Sequence, residues 1–252
     1  MKIAILDYGK PWHVLASTSL IKGLNKKFPD NNITFFVNHE SLPIIQYNSK
    51  IEPVSGYIHK TDDVFDFVLN VTPTIEACNF SSEIKSSCKL GFIEKIGNIA
   101  FANKEAEEYF DIMHNGVTTE RHMLQVLYRV AGLTWKGEGY DLVYYPKNKT
   151  KRNRTGIAIS HDALRHFVKN NLKLEMSELY SVPMKKDIFK RMDEINRCMN
   201  IITDDLFVLH ASIALRKDVE FLDTKGLTTR IEFFGNGNYY RIIDGEWKFQ
   251  MQ

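Results

Sequence analysis

Two short stretches carry side chains suited to proton transfer and anion binding. The first is Asp7-Tyr-Gly-Lys-Pro-Trp-His13. An imidazole at a helix start can take a proton from an attacking hydroxyl. His13 is therefore the candidate base, and Asp7, Gly9, Lys10 and Trp12 would border the acceptor. Backbone N–H groups in such a turn can also hold an anion. A surface histidine and a strand-ending aspartate would read the same way. The turn lacks GxGxxG, so it is not a dinucleotide fingerprint.

The second stretch is Thr203-Asp-Asp-Leu-Phe-Val-Leu-His-Ala-Ser212. Asp204 and Asp205 end a strand-like run, and His210 falls in the first turns of the helix that follows. Helix-terminal N–H groups there can receive a diphosphate, with His210 adding a charge-assisted hydrogen bond. Helix capping would account for one aspartate but not for the histidine.

A third feature is Lys147, Lys149, Lys151, Arg152 and Arg154, five bases within 147–154 with no acid between them. Such a run is either a solvated face or a phosphate contact. Glu105, Glu107, Glu108 and Asp111 read as the polar face of a helix, and no convergent metal-ligand set is expected.

The elements around these stretches alternate. Ile3–Leu6 is wholly apolar, as suits a central strand covered on both faces. A helix is expected over His13–Phe28 and a strand over Ile33–Val37, an order that specifies a parallel pair with a crossover helix. A short helix over Glu40–Tyr47, strands at Phe65–Leu69 and Lys89–Ile93, and a long helix over Thr118–Ala131 follow, with Gly132 as its C-terminal cap. After the basic run the pattern resumes: a strand from Thr155 to Ser160, a helix over Lys185–Cys198, a strand at Asn200–Asp204, a helix over Leu206–Leu215, and a strand at Val219–Leu222. The aromatic tail, Arg230–Phe249, is β-prone. In open α/β sheets ligands bind beyond the carboxyl ends of the strands, where both stretches fall.

The totals bound the class. The 252 residues are 44% hydrophobic and 25% charged with a net charge of +2, which suits a globular protein and is too mild to mark a nucleic-acid binder by itself. Three cysteines without a CxxC pair point away from a disulfide scaffold and towards a reducing, cytoplasmic setting. No run is long and apolar enough for a membrane span, so no membrane insertion is expected. The opening MKIAILDYG reads as a strand and not as a signal peptide.

Ile3–Asp30 resembles the opening of glycosyltransferase family 9, the heptosyltransferases: an apolar strand, a Gly-containing turn, a helix with a threonine, and a Phe-Pro-Asp ending. Thr119–Leu133 looks like the long helix before that family's linker. Ile201–Val219 is similar to its donor motif, Thr-Asn-Asp-Ser/Thr-Gly-Pro-Met-His-Leu-Ala, with Thr203, Asp205 and His210 at matching positions and Phe207 where the family has glycine. The three segments cover about a third of the chain.

The resemblance implies an α/β fold of GT-B type, two Rossmann-like domains facing a cleft, with the second domain reduced. The expected boundaries are 1–146 for acceptor binding, 147–155 as a basic linker, and 156–252 for the nucleotide sugar. In this fold class a C-terminal segment often crosses back to the first domain. It also implies inverting, metal-independent transfer from a nucleotide-diphosphate sugar, a co-substrate, with no resident cofactor. Thr203, Asp205 and His210 would hold the donor. His13 aligns with the family's presumed base, an aspartate.

The favoured acceptor is a hydroxymethylated pyrimidine in double-stranded phage DNA. Trp12 would stack on the extruded base, and Lys147, Lys149, Lys151, Arg152 and Arg154 would contact phosphates. A lipopolysaccharide-core or other saccharide is the alternative acceptor. A non-catalytic nucleotide-sugar or nucleic-acid binding module and a flavodoxin-like regulatory domain remain as other classes.

Overall fold

The computed structural model describes residues 1–56, 63–148, 150, 151, 153–160, 176–184, 187–224, 227, 229, 238–243 and 246–250. The chain divides into two compact units, Met1–Tyr144 with Thr228–Ile231 and Tyr145–Leu227 with Glu232–Gln252.

The first unit is built on strands β1 (Lys2–Asp7), β2 (Asn32–Val37), β3 (Ile51–Ser55), β4 (Val64–Asn70), β5 (Lys85–Lys95) and β6 (Asn98–Phe101), in the order β3-β2-β1-β4-β5-β6. Every pairing is parallel except the β5–β6 hairpin. The apolar β1 therefore lies inside the sheet, as its composition requires. Side chains alternate across a strand. Ala4, Leu6 and Tyr8 face one layer and pack with Phe36, Phe65, Val68, Ala77 and Phe80, the last two from helix α4 (Ile75–Glu83). Ile3, Ile5 and Asp7 point to the opposite face.

The expected helix over His13–Phe28 is two segments, α1 (Pro11–Ser17) and α2 (Ser19–Lys27). Pro11 starts α1 because its fixed φ and missing N–H suit the first turn. At the junction the Thr18 hydroxyl bonds back to the Leu15 carbonyl at 2.7 Å and accepts the Asp141 N–H at 3.0 Å. The expected Glu40–Tyr47 helix is a 3-10 turn, His39–Ser41, leading into α3 (Leu42–Ile45). Helix α5 spans Lys104–His114 and α6 spans Met123–Val130.

Helix α6 starts later than expected because His122 is extended and its Nδ1 accepts the Leu124 N–H at 3.1 Å. It ends as expected. Gly132 takes φ +63°, its N–H bonds to the Arg129 carbonyl at 3.0 Å, and the Leu133 N–H bonds to the Tyr128 carbonyl at 2.9 Å.

The second unit carries β7 (Thr155–Ala158), β8 (Leu179–Ser181), β9 (Asn200–Thr203), β10 (Asp218–Asp223), β11 (Asn238–Ile243) and β12 (Glu246–Gln250), in the order β12-β11-β10-β9-β7-β8. Only β11–β12 is antiparallel. Within the expected β-prone tail, residues 230–237, 244 and 245 lie outside the described residues. Helices α7 (Ile188–Arg197) and α8 (Leu206–Ala214) accompany this sheet.

Candidate active site

The first candidate stretch closes on itself. Asp7 ends β1 with its carboxylate fully buried, and His13 occupies the first turn of α1 with an 8% exposed side chain. His13 Nδ1 lies 2.7 Å from Asp7 Oδ2. A carboxylate only accepts, so Nδ1 carries the proton. The same carboxylate accepts the Ser17 hydroxyl at 2.5 Å and the Gly9 N–H at 2.9 Å. These bonds satisfy a charge that burial would otherwise penalise.

The far ring nitrogen, Nε2, is hydrogen-bonded to the hydroxyl of Tyr109 on α5. Burial, and then the charge of Asp7, push the Tyr109 phenol well above its ordinary range. It therefore stays protonated and donates. Asp7, His13 and Tyr109 form one chain of hydrogen bonds in which both imidazole nitrogens are engaged.

Glycine at position 9 is a packing requirement. A Cβ there would sit 2.9 Å from Asp7 Oδ1 and 3.1 Å from His13 Nδ1. A second line of support comes from the end of β4 and the residues just after it. Thr72 Oγ1 accepts the Tyr8 N–H at 2.7 Å and lies 3.4 Å from Asp7 Oδ1. Asn70 holds Thr72 in place: its Oδ1 accepts the Thr72 N–H and its Nδ2 donates to the Phe92 carbonyl, both at 2.9 Å. Opposite Asn70 in the ladder is Gly91 at φ +85°, where a Cβ would fall 1.8 Å from the Asn70 carbonyl oxygen.

A pocket of about 460 Å³ opens over this network. Gly9, Lys10, Trp12 and His13 line it with Thr72 and Tyr109. Trp12 meets the His13 ring edge-on, centroids 5.5 Å apart. His114, also on the wall, has its pKa lowered by burial and then by His13. The structure thus brings together all five residues expected from the first stretch. It adds Tyr109, Ser17 and Thr72, which sequence reasoning missed. Tyr109 shares a buried stripe with Ala106 and Ile112, so its spacing reads as core.

In the second unit, Thr203 donates to the Ala158 carbonyl at 2.8 Å and accepts the Asp205 N–H at 3.0 Å. Asp204 binds Ser160 through its N–H at 2.9 Å and its hydroxyl at 2.6 Å. Asp205 Oδ1 caps α8 through the Val208 N–H at 2.9 Å and pairs with Arg191 at 3.0 Å. The Arg191 guanidinium lies 4.5 Å from the Phe207 ring centroid. Thr203 and Asp205 therefore shape the strand-to-helix junction. His210 sits in the second turn of α8, 1% exposed.

The basic run lies along α7 of the same unit. Lys147 donates its N–H to Asp193 at 3.1 Å, and its ammonium is 5.8 Å from the Phe189 ring centroid. Lys151 donates to the Asn196 carbonyl at 2.9 Å and to its Oδ1 at 3.1 Å. The Arg154 carbonyl accepts the Met199 N–H. Lys149 and Arg152 lie outside the described residues. Among the described residues no helix is long and apolar enough to cross a membrane, and no cluster of three or more His, Cys, Asp or Glu could hold a metal ion.

No family model matches the sequence, and no curated protein matches it. Solved structures do. A glycosyl transferase of family 9 from Veillonella parvula superposes with a TM-score of 0.71 at 14% identity, over 96% of this chain and 86% of that one. Escherichia coli heptosyltransferase WaaC, solved with ADP, gives 0.61 at 10% identity over 98% and 92%. E. coli ADP-heptose lipopolysaccharide heptosyltransferase II gives 0.59 at 12% identity over 95% and 92%. The chain has the mixed α/β, parallel-sheet fold of these GT-B glycosyltransferases.

Proposed function

We propose that the protein is a glycosyltransferase that moves a sugar from a nucleotide-diphosphate sugar to an acceptor hydroxyl held over His13. The observation that carries this reading is the Asp7–His13 pair at the floor of a pocket, in a fold shared with glycosyltransferases. Asp7 fixes the tautomer in which Nε2 is the basic nitrogen, and its charge stabilises the imidazolium that forms. The acceptor oxygen bonds to the anomeric carbon as the bond to the diphosphate breaks. The electron pair leaves with the nucleotide, and the acceptor proton ends on His13. General-base assistance of this kind is worth about 10²–10⁴ in rate. Displacement from the face opposite the diphosphate inverts the anomeric centre, and no resident cofactor or metal enters this scheme.

The donor class is supported by the E. coli structures, one described with ADP and another with ADP-2-deoxy-2-fluoro heptose. The donor is assigned to the β9–α8 junction, where Arg191 offsets the charge of Asp205. A saccharide hydroxyl suits the first pocket, since Trp12 offers a sugar an apolar face and Lys10, Thr72 and Tyr109 offer polar contacts.

The second reading keeps the chemistry and changes the acceptor to a hydroxymethylated pyrimidine in duplex DNA. The basic run at 147–154 and Trp12, as a platform for an extruded base, favour it. The commitments of Lys147 and Lys151 to α7 weigh against it.

Mass spectrometry of the protein with a panel of nucleotide-diphosphate sugars and both acceptors tests the reading. Sugar mass on the saccharide, lost in His13→Gln, is the expected result. Sugar mass on DNA alone moves the assignment to the second reading. Nucleotide-sugar binding without transfer to either would mark a non-catalytic module.

A further inference from the structure

We propose that Tyr109 is a catalytic residue, the relay through which the acceptor's proton reaches His13. The role rests on the glycosyl-transfer reading above. A base must present a free lone pair to the proton it takes. His13 presents none: Nδ1 is held by Asp7 and Nε2 by the Tyr109 hydroxyl. The group beside Nε2 is a phenol oxygen, which keeps acceptor capacity while it donates. Tyr109 also lines the pocket in which the acceptor sits.

The step balances without any further reactant. The acceptor oxygen forms its bond to the anomeric carbon as the bond from that carbon to the diphosphate oxygen breaks, and the electron pair leaves with the nucleotide. The acceptor proton moves to the Tyr109 oxygen while the phenol proton moves to His13 Nε2. Tyrosine is unchanged at the end, and the imidazolium lies against Asp7. Burial and the Asp7 charge hold the phenol well above its ordinary range, so the two transfers run together and no phenolate is left behind. The ring is held for the task, buried at 2% exposure with Phe92 edge-on at 6.0 Å.

Two other roles would give the same resting geometry. Tyr109 as a shutter would block Nε2 until it moved aside, and Tyr109 as a brace would only orient the ring. Tyr109→Phe separates them, because it removes one oxygen and keeps the ring packing. The relay predicts a fall in kcat of about 100-fold or more, with KM for the nucleotide sugar unchanged. It also predicts a curved dependence of rate on deuterium fraction in the wild type, because two protons are in flight, and a linear one in the variant. A shutter predicts an unchanged or raised kcat, which overturns the relay. A brace predicts a lower kcat with a linear dependence in both proteins, which also overturns it.

Difluorotyrosine at position 109 keeps the shape and acidifies the phenol, so it covers the case in which Tyr109→Phe does not fold. A rate indifferent to that change rejects the relay. His13→Gln keeps the two failures apart. If it turns over like the wild type, the base assignment falls and the relay with it. If it is inactive while Tyr109→Phe is not, the relay alone falls. A wild-type protein that transfers no sugar from any donor overturns both.

Discussion

His13 Nδ1 sits 2.7 Å from Asp7 Oδ2, and the five residues between them hold the whole β1–α1 turn. Because the carboxylate can only accept, it dictates which imidazole nitrogen is basic. Asp7→Asn removes that instruction. The amide can present its N–H₂ to Nδ1, which moves the ring proton to Nε2 and points it at the Tyr109 hydroxyl. The expected loss in kcat is about 10²–10⁴, with nucleotide binding preserved. A variant retaining more than a tenth of wild-type kcat would show that the pair is structural.

Gly9→Ala is the steric version of the same test. The added methyl would press on Asp7 Oδ1 at 2.9 Å and His13 Nδ1 at 3.1 Å, both of them tied in hydrogen bonds. Overpacking of this sort costs about 1–3 kcal/mol. The variant should fold, melt lower and transfer sugar slowly. Wild-type melting and wild-type turnover together would contradict the packing described for this turn.

His122 makes stability depend on pH. Burial lowers its pKa from 6.5 to about 4, and its ring stacks on Trp135 with centroids 4.5 Å apart. The folded state favours the neutral ring, so this contribution is complete above pH 6.5. It is lost as pH falls from there to about 4. In that window the unfolded chain binds the extra proton, so stability rises with pH. The size is on the order of 3 kcal/mol. Urea titrations at pH 7 and pH 4.5 measure it. His122→Asn keeps a cap for α6 and should flatten the difference between the two pH values. Trp135 fluorescence reports the same protonation.

Ile96 offers a stabilising change. It sits at the β5–β6 hairpin tip with φ +54°, is 88% exposed, and precedes Gly97 at φ +74°. A β-branched residue is strained there, whereas Asn-Gly suits a two-residue hairpin turn with both φ positive. Ile96→Asn should stabilise by about 1 kcal/mol and raise Tm by about 2–4 °C. An unchanged or lower Tm would mean the isoleucine is held by something other than the turn.

The readable parts of this chain were those where local pattern and tertiary role agree. An apolar run such as Ile3–Leu6 has one comfortable place, inside a sheet, and Gly132 has one comfortable place, past a helix end. The Asp7–His13 stretch was found because strand end, turn and helix start lie within a few residues. Helix starts were misplaced where side chains intervene: Thr18 bonds back into the preceding turn, and His122 caps α6 from an extended backbone. Tyr109 was missed because its spacing matches buried neighbours, and only the fold carries its hydroxyl across 96 positions to His13. In the second unit, capping and an ion pair with Arg191 account for Asp205. That pairing joins two helices and leaves no local signal.

The strand order also has a vectorial consequence during synthesis. β1 is made first but is the third strand across the sheet, between β2 and β4. As the chain leaves the ribosome, Lys2–Asp7 can zip to Asn32–Val37 early, while its other edge waits for Val64–Asn70. At about 5–20 residues per second, that edge is open for a time on the order of seconds. A nascent chain ending before Lys104 already holds both Asp7 and His13 but no Tyr109. The phenol therefore joins the Asp7–His13 pair only once α5 has been made.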